Sequence, residues 1–219
     1  MPRPLIHIHV KRTGGSSLGD MVRGVYPNGV ARAHQSFSPE KDDRVKLFQG
    51  HFCYGVHARL EVPPRYIAIL RHPIDRYISM IYGTQPYDDD LLKVHQFIGR
   101  GGEFATPFEA QVLQISGIDQ TDQWAERRTV TRDDLNLALS NLDTFEAVGF
   151  LEYFEASVNL ISKIDDWKLG EIIKVNCNPR PQPRPSNKSE MYRLISEFVK
   201  FEMELYEIAL DRYYKRLEI

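Results

Sequence analysis

Five short apolar runs, each four to six residues long, recur along the chain with helix-period segments between them, and few folds accept that alternation. The runs are Leu5–Val10, Val45–Phe48, Tyr66–Leu70, Ala147–Leu151 and Ile172–Val175, and each has the length and apolar density of a buried strand. The first passes through the turn Lys11–Gly15 into a helix predicted from Ser16 through Val22. After the third, Pro73 is placed as the first residue of a helix. In that helix Ile74, Ile78 and Ile81 form a core face, with Asp75, Arg76 and Ser79 on an adjoining polar stripe. Further helices are expected over Phe104–Ser116, over Leu135–Leu142 behind a Thr131/Asp134 capping box, and over Phe154–Ile164 with Phe154, Val158 and Ile161 inward. A last one spans Glu190–Leu217 (Leu194, Phe198, Phe201, Leu205, Ile208). Strands separated by helices predict an α/β fold of three layers, a central parallel sheet flanked by helices. Its 219 residues fit one domain, 1–219.

Composition removes several function classes. With 42% hydrophobic residues the chain is too apolar to stay disordered. Lys+Arg is 28 against Asp+Glu 30, which disfavours nucleic acid as a general partner; any anion site must be local. Cys53 and Cys177 match no metal or redox spacing, and the histidines show no metal-ligand spacing. No metal is expected. No apolar run is long enough to span a bilayer and no signal-peptide pattern opens the chain; no membrane partner and a cytoplasmic setting are the expectation. Gly83–Glu103, with Asp88, Asp89 and Asp90 and with Gly99, Gly101 and Gly102, looks like an irregular surface excursion beside a site. There Tyr82, Tyr87 and Phe97 are either ligand-stacking surfaces or core residues.

Three segments carry chemistry. In Lys11-Arg12-Thr13-Gly14-Gly15-Ser16-Ser17, adjacent glycines between strand and helix let successive N–H groups converge at a helix start. Arg12 or Lys11 adds charge and Ser16 or Ser17 a hydroxyl. The alternative is a tight connection and nothing more. Neither G-x-x-x-x-G-K-[ST] nor G-x-G-x-x-G occurs. Gly15-Ser16-Ser17-Leu18-Gly19 does satisfy G-x-S-x-G, which admits a serine hydrolase acting through Ser17. Only one strand precedes that serine, however, and no histidine follows His95. In the second segment His51 follows a strand directly after Gly50, where an imidazole can act as a general base. In the third, Arg71 leaves a strand at the edge where α/β sheets bind ligands, with Ser79 two turns into the next helix. Together they suit a phosphate; alternatively Arg71 pairs with Asp75 on the surface.

In this order the segments resemble sulfotransferases that use 3'-phosphoadenosine 5'-phosphosulfate (PAPS), the carbohydrate branch above all, including heparan sulfate 2-O-sulfotransferases. Ile8-His-Val-Lys-Arg-Thr-Gly-Gly-Ser-Ser-Leu18 is similar to the family's P-loop-like 5'-phosphosulfate loop, Gly50-His51-Phe-Cys-Tyr-Gly to its G-H-x-x-Y-G element, and Leu70-Arg71-His-Pro-Ile-Asp-Arg-Tyr-Ile-Ser79 to its 3'-phosphate site. The resemblance implies that the backbone of Thr13–Ser17 (Thr13, Gly14, Gly15, Ser16, Ser17) and Arg12 hold the 5'-phosphosulfate, and that Arg71 and Ser79 hold the 3'-phosphate. His51 would take a proton from a hydroxyl acceptor, a saccharide, while Arg12 or Lys11 stabilises the leaving group. The basic, proline-rich run 178–188 would close over the nucleotide through Arg184 and Lys188. Two positions depart from the pattern. Arg12 stands at the family's loop lysine, and Gln49 stands where the 2-O branch often carries a second histidine. A relative that binds 3',5'-bisphosphate nucleotides without catalysis is the alternative.

Overall fold

The computed structural model describes residues 5–32, 47–55, 65–84, 90–99, 102–103, 106–117, 129–169 and 188–217. Its strands are β1 (Leu5–Ile8), β2 (Val30–Arg32), β3 (Leu47–Gly50), β4 (Arg65–Leu70), a small antiparallel pair β5 (Gly102–Glu103) and β6 (Thr106–Pro107), and β7 (Ala147–Phe150). Five of them form one parallel sheet in the order β2-β3-β1-β4-β7. The helices are α1 (Gly15–Val25), α2 (Pro73–Thr84), α3 (Asp90–Gly99), α4 (Ala110–Ser116), α5 (Arg132–Leu142), α6 (Phe154–Ile164), α7 (Lys188–Ser196) and α8 (Lys200–Tyr213).

Alternation along the strands sorts their side chains into two cores. Leu5, Ile67, Ile69 and Ala147 point to one face, where α1 supplies Leu18, Met21 and Val22, and α6 supplies Phe154, Val158 and Ile161. Ile6, Ile8, Tyr66, Ala68, Leu70, Val148 and Phe150 point to the other, against α4, α5 and α8. The expected α/β layering is therefore present. A third cluster joins α2 (Ile74, Tyr77, Met80, Ile81), α3 (Val94, Phe97) and α7 (Met191, Ile195). Chain direction reverses at β1: the chain first steps to the β2–β3 side, then crosses to β4 on the other. Such a reversal opens a crevice at the C-terminal edge of a parallel sheet. No helix among the described residues is long and apolar enough to cross a membrane.

Several local expectations change. Arg76 is not on a polar stripe; it is fully buried, because Glu202, distant in sequence, neutralises it inside the core. The excursion at 83–103 contains α3, whose Leu91, Val94, Phe97 and Ile98 have helical spacing and pack on α2 and α7; flanking glycines and acids hid it. The helix expected over Phe104–Ser116 is confined to α4, after the β6 residues Thr106–Pro107. The C-terminal helix is two helices. A turn between them moves Phe198 off the apolar face, to 41% exposure, and buries Val199 in its place. The capping box at α5 forms as expected, with Thr131 and Asp134 bonding reciprocally. The expected strand Ile172–Val175 lies outside the described residues.

Candidate functional site

Because the central strands are parallel, the described segments that follow β1, β3, β4 and β7 meet on one edge. A cleft of about 1210 Å³ opens there. After β1 it takes His9, Lys11, Arg12, Gly14, Ser16 and Ser17; after β3, His51; after β4, Arg71 and Ser79; and after β7, Glu152 and Tyr153. Three segments well separated in sequence thus share one cavity.

The loop after β1 is shaped by two left-handed residues, Arg12 (φ 69°) and Gly14 (φ 87°). Gly14 is the N-cap of α1 and offers no side-chain acceptor, and the first turn has no acid; a helix start of this kind is a place where an external anion can be received. Gly14 is favoured by its left-handed backbone angle, and a side chain at either glycine would crowd a neighbour. A Cβ on Gly14 would lie 2.7 Å from Leu151 Cδ1, and one on Gly15 2.3 Å from His9 Cδ2. Thr13 is buried and its hydroxyl donates to the Val10 carbonyl at 2.8 Å, so its side chain closes the turn. Ser17 is 5% exposed within α1.

His51 is exposed, and its Nδ1 lies 2.6 Å from the His9 carbonyl. A carbonyl only accepts, so Nδ1 carries the proton and Nε2 is the basic nitrogen of the neutral ring. The ring stands 4.8 Å from that of His9, which in turn lies 5.5 Å from His7. His7 is fully buried, and neither ring nitrogen has a hydrogen-bond partner among the described residues. Burial first, then the nearby His51, lowers its pKa to about 3, so it stays neutral. Gln49 reaches across: its Nε2 donates to the Gly15 carbonyl and sits 3.3 Å from His9 Nδ1. The residue that departs from the family pattern therefore ties the β3 end to the diglycine turn.

The guanidinium of Arg71 turns toward the same loop, Nη1 donating to the Arg12 carbonyl at 3.1 Å. Asp75, its expected surface partner, instead accepts from the Tyr192 hydroxyl and faces His72 Nδ1 at 3.8 Å. Burial lowers the Arg71 pKa from its usual value, against the Glu152 and Asp75 carboxylates. The turn that carries Arg71 is held from two sides. Gln111 of α4 accepts the Arg71 N–H at 3.0 Å and donates to the Arg71 carbonyl at 2.9 Å. Glu152 accepts the His72 N–H at 2.9 Å and the Tyr206 hydroxyl at 3.0 Å.

Behind this turn lies a buried polar network. Arg76 pairs with Glu202 (Nε–Oε1 2.8 Å, Nη2–Oε2 3.1 Å), and the Tyr77 hydroxyl and Gln111 Nε2 also donate to that carboxylate. Glu109 accepts the backbone N–H groups of Phe201 and Glu202. Burial and the neighbouring Glu202 nevertheless push its pKa from 4.5 up to about 8. A carboxyl raised on folding holds a proton that the unfolded chain has lost. Its stabilisation is complete below about pH 4.5 and is lost as pH climbs through 8. Urea unfolding of wild type and Glu109→Gln at pH 5 and pH 8.5 checks this: the wild type should lose ground against the variant at the higher pH, and a constant difference would contradict it.

Of the residues expected from sequence, Lys11, Arg12, Gly14, Ser16, Ser17, His51, Arg71 and Ser79 line the cleft, with Thr13 and Gly15 buried in the loop behind them. Lys188 is exposed at the start of α7, over the Tyr192 ring at 5.2 Å. Arg184 and Tyr87 lie outside the described residues. Tyr82 and Phe97 are core residues at 4% and 8% exposure, which removes them as stacking surfaces. Gln111 and Glu202 gave no local signal; Glu152 had one, its position at a strand's C-terminal end. Neither a protein-family model nor a curated protein matches the chain.

Proposed function

We propose that this chain is a sulfotransferase of the PAPS-dependent kind, moving a sulfuryl group from 3'-phosphoadenosine 5'-phosphosulfate to the hydroxyl of a carbohydrate acceptor. The observation that carries the reading is the meeting of the α1 N-terminus, Arg71 and His51 in one cleft, with Arg71 Nη1 3.1 Å from the loop carbonyl of Arg12. A donor with phosphates at both the 5' and 3' positions needs two neighbouring anion sites and a base. The resemblance of three motifs in family order supports the same assignment.

The transfer is in line, with no metal and no covalent intermediate. The acceptor hydroxyl gives its proton to His51 Nε2 as its oxygen bonds to sulfur. The sulfur–oxygen bond to the 5'-phosphate breaks, and the charge left on that phosphate falls to the first amides of α1, a P-loop-like cradle, and to Arg12 or Lys11. Arg12, in place of the family's lysine, stabilises that charge without giving up a proton. Arg71 and Ser79 hold the 3'-phosphate. The products are a sulfate ester and adenosine 3',5'-bisphosphate.

A thermal-shift series tests the binding half. Adenosine 3',5'-bisphosphate should raise Tm well above adenosine 5'-phosphate or ATP at equal concentration, since a ligand at 100 times its Kd stabilises by about 2.7 kcal/mol. Equal shifts for all three would sink the nucleotide assignment. Transfer of labelled sulfate from PAPS to a saccharide then tests the chemistry. Binding without transfer would favour a non-catalytic relative.

A further inference from the structure

Gln111 does for the Arg71 turn what a neighbouring strand would do. Its side-chain amide accepts the Arg71 N–H (3.0 Å) and donates to the Arg71 carbonyl (2.9 Å), a two-point clamp on one residue's backbone. The same Nε2 also donates to Glu202 Oε1 at 2.8 Å, so the clamp is tied into the buried Arg76–Glu202 pair. Gln111 itself is 1% exposed. It is not among the residues that line the cleft, so it acts on a ligand only through Arg71.

Geometry gives this clamp a consequence for binding. Arg71 follows the last residue of β4 directly, and the ladder of main-chain bonds that fixes a strand ends there. A guanidinium at the end of a long side chain has many rotamers, and its placement is only as good as that of its Cα. From the clamped position it reaches the Arg12 carbonyl of the anion loop. We propose that Gln111 is a positioning residue that fixes Arg71, and through it confers the preference of the cleft for a nucleotide bearing a 3'-phosphate over one bearing only a 5'-phosphate. This rests on the nucleotide reading above and goes beyond it, by naming a residue without ligand contact as the source of selectivity.

The prediction separates positioning from mere support of the fold. Gln111→Met keeps the volume and removes both bonds to Arg71, along with the one to Glu202. It should weaken adenosine 3',5'-bisphosphate binding roughly tenfold, the scale of one or two lost hydrogen bonds, while adenosine 5'-phosphate binds as before. In an Arg71→Ala background the same change should cost nothing further, because the group it positions is gone. Isothermal titration of wild type, both single variants and the double variant with the two nucleotides decides it. If Gln111→Met fails to fold, Gln111→Asn, whose amide stops a methylene short of Arg71, is measured in its place against the same outcomes. Equal losses for the two nucleotides, unchanged bisphosphate affinity, or additivity with Arg71→Ala would overturn the positioning role alone. A wild-type chain that does not prefer the bisphosphate would overturn it together with the nucleotide reading.

Discussion

Glu202→Ala is expected to lower folding stability by about 3–5 kcal/mol, the usual cost of stripping one partner from a buried ion pair. Three donors lose their acceptor at once: Arg76, the Tyr77 hydroxyl and the Gln111 amide. The Arg76 guanidinium is fully buried and its Nη1 already has no partner among the described residues, so no water shell replaces the lost carboxylate. Because a domain of this kind is stable by only about 5–15 kcal/mol, the urea midpoint should fall steeply. Joint replacement, Arg76→Met with Glu202→Leu, should cost less than Glu202→Ala, since no buried charge is left unpaired. A midpoint that barely moves in Glu202→Ala would show that the pair is hydrated in solution and does not hold α8 to α2.

What the sequence reveals of this molecule follows from the range of the interactions involved. Strand β4 and the start of α2 were legible because Tyr66–Leu70 is continuously apolar and Pro73 can only begin a helix. The capping box at Thr131 was legible because both partners lie three residues apart. The diglycine turn and His51 were legible because each stands directly beyond a strand's end. Arg76 was not. It has helical spacing beside Asp75 and Ser79 and is indistinguishable from a solvated cation until Glu202 is brought to it across 126 residues. Phe97 failed as a stacking candidate for a related reason: its surroundings come from α2 and α7 as well as from its own helix. The α7–α8 break was hidden because Phe198 continues the helical period of its neighbours. Local periodicity records which face is apolar. It does not record where the chain stops and restarts that face.

His51→Ala should lower turnover by about 10²–10⁴-fold, the range for loss of a positioned general base, and leave nucleotide affinity unchanged. The residue is exposed and its Nδ1 is anchored to the His9 carbonyl; a side chain at the surface can be removed without opening the core, so the variant should fold with little change in Tm. That bond fixes the tautomer and leaves Nε2 as the basic nitrogen, the one the proposed transfer would use. The innermost imidazole of the row behind it does not supply a substitute. His7 is neutral through the working range, its pKa near 3, and it is sealed in the sheet without access to the cleft; His9 stands between. The expected pattern is therefore a fall in kcat with the Kd of adenosine 3',5'-bisphosphate intact, together with loss of the acid-side limb of the pH–rate profile. Arg71→Ala should give the opposite pattern, weaker bisphosphate binding. The two variants divide the cleft into a group that moves a proton and a group that holds a phosphate. Undiminished turnover in His51→Ala would take His51 out of the proposed reaction and leave that proposal without a base at the strand edge.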